Sequence, residues 1–298
     1  MLSDDATAHD VCYRCGYDLT GIGDETPCPE CGLLARRSRR PTDELHYTRP
    51  RWLRRISRGT NLLLLAVLLF GASPALAVVL TKLSYAMLPA RGYEWLLPHV
   101  PLLAVHAAAL FALAGAWLLA SKEGYPPADR ADRVRRILLR IIAISPIVGA
   151  TAKSIERHLI FNGGYWGVYD YTWNPLDIAM AASMVGTIAL PILVFATLRD
   201  LAKRARSAHL AEHCTIVGVG TSLTLLAIMA FVTLQAAGYM RDTNRSLIEP
   251  TAVLLVATAT FLFWLWSLYL MIRFAISFGK ASIDARRAWQ AADRSHAG

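Results

Sequence analysis

Six stretches of this chain, residues 61–81, 96–120, 137–152, 175–198, 214–238 and 251–272, hold only two of its 53 Asp, Glu, Lys and Arg side chains, Arg140 and Asp177. A helix that crosses the ~30 Å hydrocarbon core of a bilayer needs about 20 apolar residues. Five of the stretches have that length, and all are rich in Leu, Ala, Val, Ile and Phe. Backbone groups in lipid must be bonded within their own segment, so helices are the reading that such stretches allow. Elsewhere the chain is normally charged. The total of 18% charged residues, with 55% hydrophobic and a mean hydropathy of +0.37, is therefore a local deficit. It excludes an ordinary soluble domain, a disordered chain and a coiled coil. Five cysteines in 298 residues also exclude a secreted disulfide scaffold.

The stretch 137–152 is the short one, with 16 residues, Pro146 near its middle and Arg140 inside it. Snorkelling of Arg136 and Arg140 extends its usable length to about 19 residues. Charge asymmetry decides whether it crosses. With six crossings and the N-terminus inside, 25 of the 31 Lys and Arg residues face the cytoplasm. The outer loops then hold only Lys82, Arg91, Lys153, Arg157, Arg241 and Arg245. The net charge of +9 falls wholly on the inner side. Basic loops stay cytoplasmic, and five crossings would put Arg199, Lys203, Arg204 and Arg206 outside. The expectation is an all-α membrane protein: a six-helix transmembrane bundle over 61–272, both termini cytoplasmic. A charged 60-residue region precedes the first stretch, so that stretch is not read as a cleavable signal peptide.

Four of the five cysteines lie within 20 residues: Cys12-x2-Cys15, then twelve residues, then Cys28-x2-Cys31. Two intervening residues let both sulfurs of a pair reach one metal. Gly16 and Gly32 after the second cysteine of each pair permit a tight turn whose N–H groups face the sulfurs. A tetrahedral zinc site of four cysteines follows, over residues 1–34. Four thiolates leave no position open for water, so the Zn2+ is structural rather than catalytic. A segment this small has too little apolar surface to fold alone, and the metal would supply the folding energy. The rivals are a disulfide pair, disfavoured in the cytosol, and iron, for which rubredoxin uses similar knuckles at longer separation.

The written motif, Cys12-Tyr-Arg-Cys15-Gly-Tyr-Asp-Leu-Thr-Gly followed by Cys28-Pro-Glu-Cys31-Gly, resembles a zinc ribbon common in planctomycete bacteria. There it often precedes a set of membrane helices. The resemblance covers about residues 10–34. It implies a zinc fold and a bacterial inner membrane, and it brings no activity with it.

Residues 1–34 carry Asp4, Asp5, Asp10, Asp18, Asp24, Glu25 and Glu30 against Arg14 alone. A zinc held by four thiolates adds about two more negative charges. Nucleic acid needs the opposite sign and is not expected as a partner. A cytosolic protein, or the chain's own basic loops, fits better. Residues 35–60 form a basic juxtamembrane linker, with nine arginines between Arg36 and Arg58 against Asp43 and Glu44. Pro41 and Pro50 argue against one continuous helix there. Trp52, Leu53 and Ile56 place it at an interface with anionic lipid. Residues 273–298 read as a basic amphipathic tail lying on the membrane surface, with Phe278, Ile283 and Trp289.

Ala104, Ala108, Ala112, Ala116 and Ala120 recur every four residues and mark a close helix approach. His99, His106, Glu156, His158, Asp170 and Asp177 gather toward the outer side and are the candidates for a second site; merely hydrated interfacial groups are the blander alternative. The outer loop 153–174, with Gly163, Gly164 and aromatics from Tyr165 to Trp173, is an interfacial anchor or a lid. The chain has no phosphate-binding glycine loop, nucleophile elbow or His-Glu-x-x-His motif, so a non-enzyme is expected. Two functions compete: a membrane protein whose ribbon docks a protein partner, and a small transporter or channel that the ribbon regulates. Pro146 and Pro191 hint at the broken helices that transporters use.

Overall fold

The computed structural model describes residues 12, 15, 17–38, 48, 50–87, 100–122, 130–161, 175–205, 207–236 and 248–294. Helices dominate them: α1 (Ala35–Ser38), α2 (Pro50–Met87), α3 (Val100–Leu119), α4 (Arg130–Ile142), α5 (Ser145–Phe161), α6 (Pro175–Arg204), α7 (Ala208–Ala236) and α8 (Ile248–Arg294). Six segments are long and apolar enough to cross a bilayer: Pro50–Ser73, Leu102–Leu119, Arg130–Glu156, Ile178–Arg204, His209–Phe231 and Val253–Arg287. The third is α4 and α5 together, so the short stretch does qualify. Its helix breaks at Ala143 and Ile144, just before Pro146. Proline lacks an N–H and restricts the residue before it, so α5 restarts with Pro146 in its first turn. Pro191, by contrast, lies within an unbroken α6.

Two boundaries differ from the sequence reading. Helix α2 starts at Pro50, inside the basic linker and well before residue 61. Pro50 suits a first helical position, where its missing N–H costs nothing. Trp52, Leu53 and Ile56 are buried in the bundle core rather than spread on a surface. The C-terminal tail is also no separate surface helix. It continues α8, 47 residues long, and Phe274, Phe278 and Ala285 belong to the same core. At 1.5 Å per residue α8 is about 70 Å long, more than twice the hydrocarbon thickness. Burial of Phe278 against the bundle explains why the helix continues past the span.

The spans close into a ring in chain order. Helix α2 packs on α3, α3 on α5, α5 on α6, α6 on α7, α7 on α8, and α8 returns to α2. Lipid offers no hydrophobic drive between helices, so close packing of small residues must hold them together. Glycines do this at five of the contacts. A Cβ on Gly59 would lie 2.9 Å from the Gly115 carbonyl oxygen, and one on Gly115 would lie 2.8 Å from that of Gly59, so α2 and α3 cross backbone to backbone. The alanine stripe lies along the same crossing, with Ala108, Ala116 and Ala120 buried. Gly149 faces Ser183 and Gly186 faces Ser145, a reciprocal pair between α5 and α6. Gly218 receives Phe195, Gly220 receives Phe263, and Gly71 receives the Trp264 indole, whose Nε1–H donates to the Val67 carbonyl at 2.9 Å.

Several hydroxyl groups between the helices are bonded across the contacts. The Ser222 hydroxyl donates to the Ile188 carbonyl at 2.7 Å across α6 and α7, and Thr221 meets Ser267 at 3.2 Å across α7 and α8. The α3 C-terminus, which leaves carbonyls unpaired, is capped from two sides. The Trp52 indole donates to the Ser121 oxygen at 3.1 Å and Arg140 donates to the Ala120 oxygen at 2.9 Å. The Arg140 guanidinium also stacks over Trp117, and that of Arg204 over Trp52. Arg140 thus sits at a helix end among aromatic rings, which explains a charge inside an apolar stretch. Arg135 bridges Asp132 and Asp200, tying α4 to α6.

Candidate metal centre

The four-cysteine ribbon is built from turns. The Cys12 N–H donates to the Tyr17 carbonyl at 2.8 Å, which folds the first knuckle back on itself. A second turn is closed by Ile22 N–H to the Leu19 carbonyl at 2.9 Å, with Gly21 at φ +80°. The Asp18 carboxylate accepts from the Thr20 N–H at 2.9 Å and stiffens it. In the second knuckle the Cys28 N–H donates to the Leu33 carbonyl and the Gly32 N–H to the Cys28 carbonyl, both at 2.8 Å. Gly32 has φ +70°, the left-handed turn that its place after Cys31 predicts. Gly16, the matching residue of the first knuckle, lies outside the described residues. Pro27 and Leu34 pair in an isolated antiparallel bridge, and Cys12, Leu19 and Cys28 make a small buried core with Ile22 against it.

These turns bring the four sulfurs to one point. Cys12 Sγ lies 3.5 Å from Cys31 Sγ and Cys15 Sγ lies 3.5 Å from Cys28 Sγ, and all four lie within 4.8 Å of one another. Each close pair joins one knuckle to the other. A tetrahedral site with metal–sulfur bonds of ~2.3 Å sets its sulfurs about 3.8 Å apart, so the donor set fits one ion with little adjustment. A disulfide needs ~2.05 Å, and all five cysteines are free thiols. The Tyr17, Glu30, Cys31 and Leu33 N–H groups point at the sulfurs. Burial pushes the Cys28 thiol up, but the Cys31 and Glu30 N–H groups, with the neighbouring thiols, outweigh it and hold Cys28 below the ordinary thiol range. At Cys15 burial wins over the Tyr17 N–H and pushes the thiol up, and Cys31 is raised in the same way despite the Leu33 N–H. Four cysteine sulfurs at these distances could hold one metal ion.

Among the described residues, the other candidates form no such group. His99 and Asp170 lie outside the described residues. His158 is on α5 and Asp177 on α6. Glu156 accepts an ion pair from Lys153 at 2.6 Å on α5, where the sequence reading expects a loop; the loop residues 162–174 lie outside the described residues. His106 Nδ1 is bonded to the Leu102 carbonyl of its own helix at 2.7 Å. Cys214 is fully buried in the bundle core. Among the described residues, the four ribbon cysteines are the only group of three or more His, Cys, Asp or Glu side chains placed to hold a metal. The sequence reading passes over His209 and His213, because its fifth apolar stretch opens only at Cys214. Their i, i+4 spacing at the start of a helix is the signal that could have found them.

No family model matches this chain, and no curated protein or solved structure matches it.

Proposed function

We propose that this chain is a multi-pass protein of a bacterial inner membrane, with both termini in the cytoplasm and a structural Zn2+ on Cys12, Cys15, Cys28 and Cys31, whose ribbon docks a cytosolic protein. The observation that carries this reading is the closed four-thiolate centre on a segment separate from the bundle core: the two buried clusters share no residue. Such a unit holds a surface in shape and does no chemistry at its metal. The surface it presents is acidic, with Asp18, Asp24, Glu25 and Glu30 exposed beside Tyr17. That sign disfavours nucleic acid. Zinc is preferred because a d10 dication accepts tetrahedral thiolates without a geometric preference of its own. The basic ends of α2, α4 and α6 suit anionic lipid at the inner face. The broken third span, which a transport reading would use, is engaged in packing. The Ala143 and Ile144 N–H groups are bonded to the Leu139 and Ile141 carbonyls, and Arg140 is held by α3.

A photo-crosslinking side chain in place of Tyr17, in the full chain in its native membrane, tests the docking role. The expected result is one discrete adduct with another polypeptide, lost when Cys28→Ser is added. Crosslinks confined to the chain itself would refute it. Reporter fusions at Ser207 and Ala297 should read cytoplasmic, and those at Arg91, Asp170 and Thr243 should read outside.

A further inference from the structure

At the start of α7 two imidazoles meet. His209 Nε2 lies 3.1 Å from His213 Nε2, with ring centroids 4.2 Å apart and ring planes at 68°. The two residues sit one turn apart on the same face, which is why they can touch. His209 is exposed and His213 half-buried, so the gap between the nitrogens opens to the outside of the bundle. His213 is held from behind by Trp266 of α8, edge to face with centroids 5.5 Å apart. Leu210, Ala211 and Cys214 on the neighbouring faces of the turn are buried, which fixes the rotation of the helix.

Metal–imidazole bonds are ~2.0–2.1 Å long. Two nitrogens 3.1 Å apart therefore subtend about 98° at an ion bonded to both, between the 90° of octahedral or square sites and the 109° of tetrahedral ones. We propose that His209 and His213 form a second, exchangeable site for a borderline divalent transition cation: Zn2+, Ni2+ or Cu2+. Imidazole ligands select these ions over Mg2+ and Ca2+, which prefer oxygen. Two protein ligands leave the remaining positions to water. His213 Nδ1 is buried without a hydrogen-bond partner. Metal-bound histidines are normally strengthened by an acceptor at the second nitrogen, so this site is a weak one that loads and unloads, unlike the closed ribbon. Without metal, one imidazole N–H donates to the other nitrogen across the same 3.1 Å. Binding removes that hydrogen from between the rings. It also stiffens the first two turns of α7 against Trp266, so metal at this site is felt at the α7–α8 contact.

The test uses the untagged full chain in detergent with the ribbon loaded, and Ni2+ as the probe. Equilibrium dialysis reads nickel and zinc in the same sample. One nickel per chain above the ribbon's zinc is expected, with affinity falling about tenfold or more in His209→Gln and in His213→Gln. His209 is exposed, so its variant tests binding without disturbing the core, and unchanged helical circular dichroism and thermal unfolding confirm that each variant is intact. Equal nickel binding in wild type and His209→Gln would overturn the site and leave an ordinary imidazole hydrogen bond. Nickel that appears only as zinc is lost would overturn it too.

Discussion

Replacing Cys28 with serine removes one of the two buried thiols of the ribbon. Its side chain is 1% exposed, its sulfur accepts from two backbone N–H groups, and its own N–H and carbonyl close the second knuckle. A serine oxygen is harder and sits closer to its Cβ, so it reaches the ion poorly. Structural zinc in small zinc peptides contributes about 10–16 kcal/mol at neutral pH. Shared evenly over four ligands, the loss of one costs roughly 2.5–4 kcal/mol, which weakens binding by about two to three orders of magnitude. Little else holds the ribbon: among its described residues the buried apolar side chains besides cysteine are Leu19 and Leu33, with Ile22 partly buried. Burial of one such side chain is worth about 1.5–3 kcal/mol, against an ordering cost of about 1–2 kcal/mol for every residue fixed. Loss of zinc should therefore unfold the ribbon. The helices should persist, because their buried cluster contains no ribbon residue. The assay is zinc release to a competing chelator from the full chain in detergent, alongside helical circular dichroism. Glu30→Gln serves as the control, since it keeps the backbone N–H and changes only an exposed side chain. A Cys28→Ser affinity within about threefold of wild type would refute the shared four-thiolate argument.

Gly115→Ala should destabilise the bundle by about 1–3 kcal/mol, because the new methyl meets the Gly59 oxygen and Leu63 Cγ, each at 2.8 Å. Adding Gly59→Ala should cost less than the sum, since the first change already separates α2 from α3; thermal unfolding in detergent measures both. Leu198→Ala, at a fully buried core position, should cost about 2–5 kcal/mol. Asp200→Asn should cost under about 1 kcal/mol, as its side chain is 43% exposed and the pair with Arg135 is screened by water. Acidification should release the ribbon metal, because thiolates must be deprotonated to bind; the stability it contributes is present at neutral pH and lost as pH falls. Zinc content that stays constant as the pH is taken from neutral well into the acid range would contradict this.

Much of the fold was written in local pattern. Length and apolarity alone mark a spanning helix, because the bilayer sets both. The third span was legible only through the charges of the loops around it, since its own 16 residues were too few. The clustering of the four cysteines was legible in the sequence, because a Cys-x2-Cys pair carries its geometry in its spacing and needs no distant residue except the second pair. What the pattern could not reach was contact. That α8 returns to α2 and closes the ring depends on Gly71 meeting Trp264, nearly two hundred residues apart. That the tail continues α8 depends on Phe274 and Phe278 finding the core, and that Arg140 is tolerated depends on the Ala120 carbonyl and Trp117. Amphipathic periodicity says which side of a helix is apolar; it does not say whether lipid or another helix covers that side, and in a membrane both solvents look alike to the sequence. Only the tertiary structure chooses between them, through the close approach that glycine permits and a larger side chain forbids.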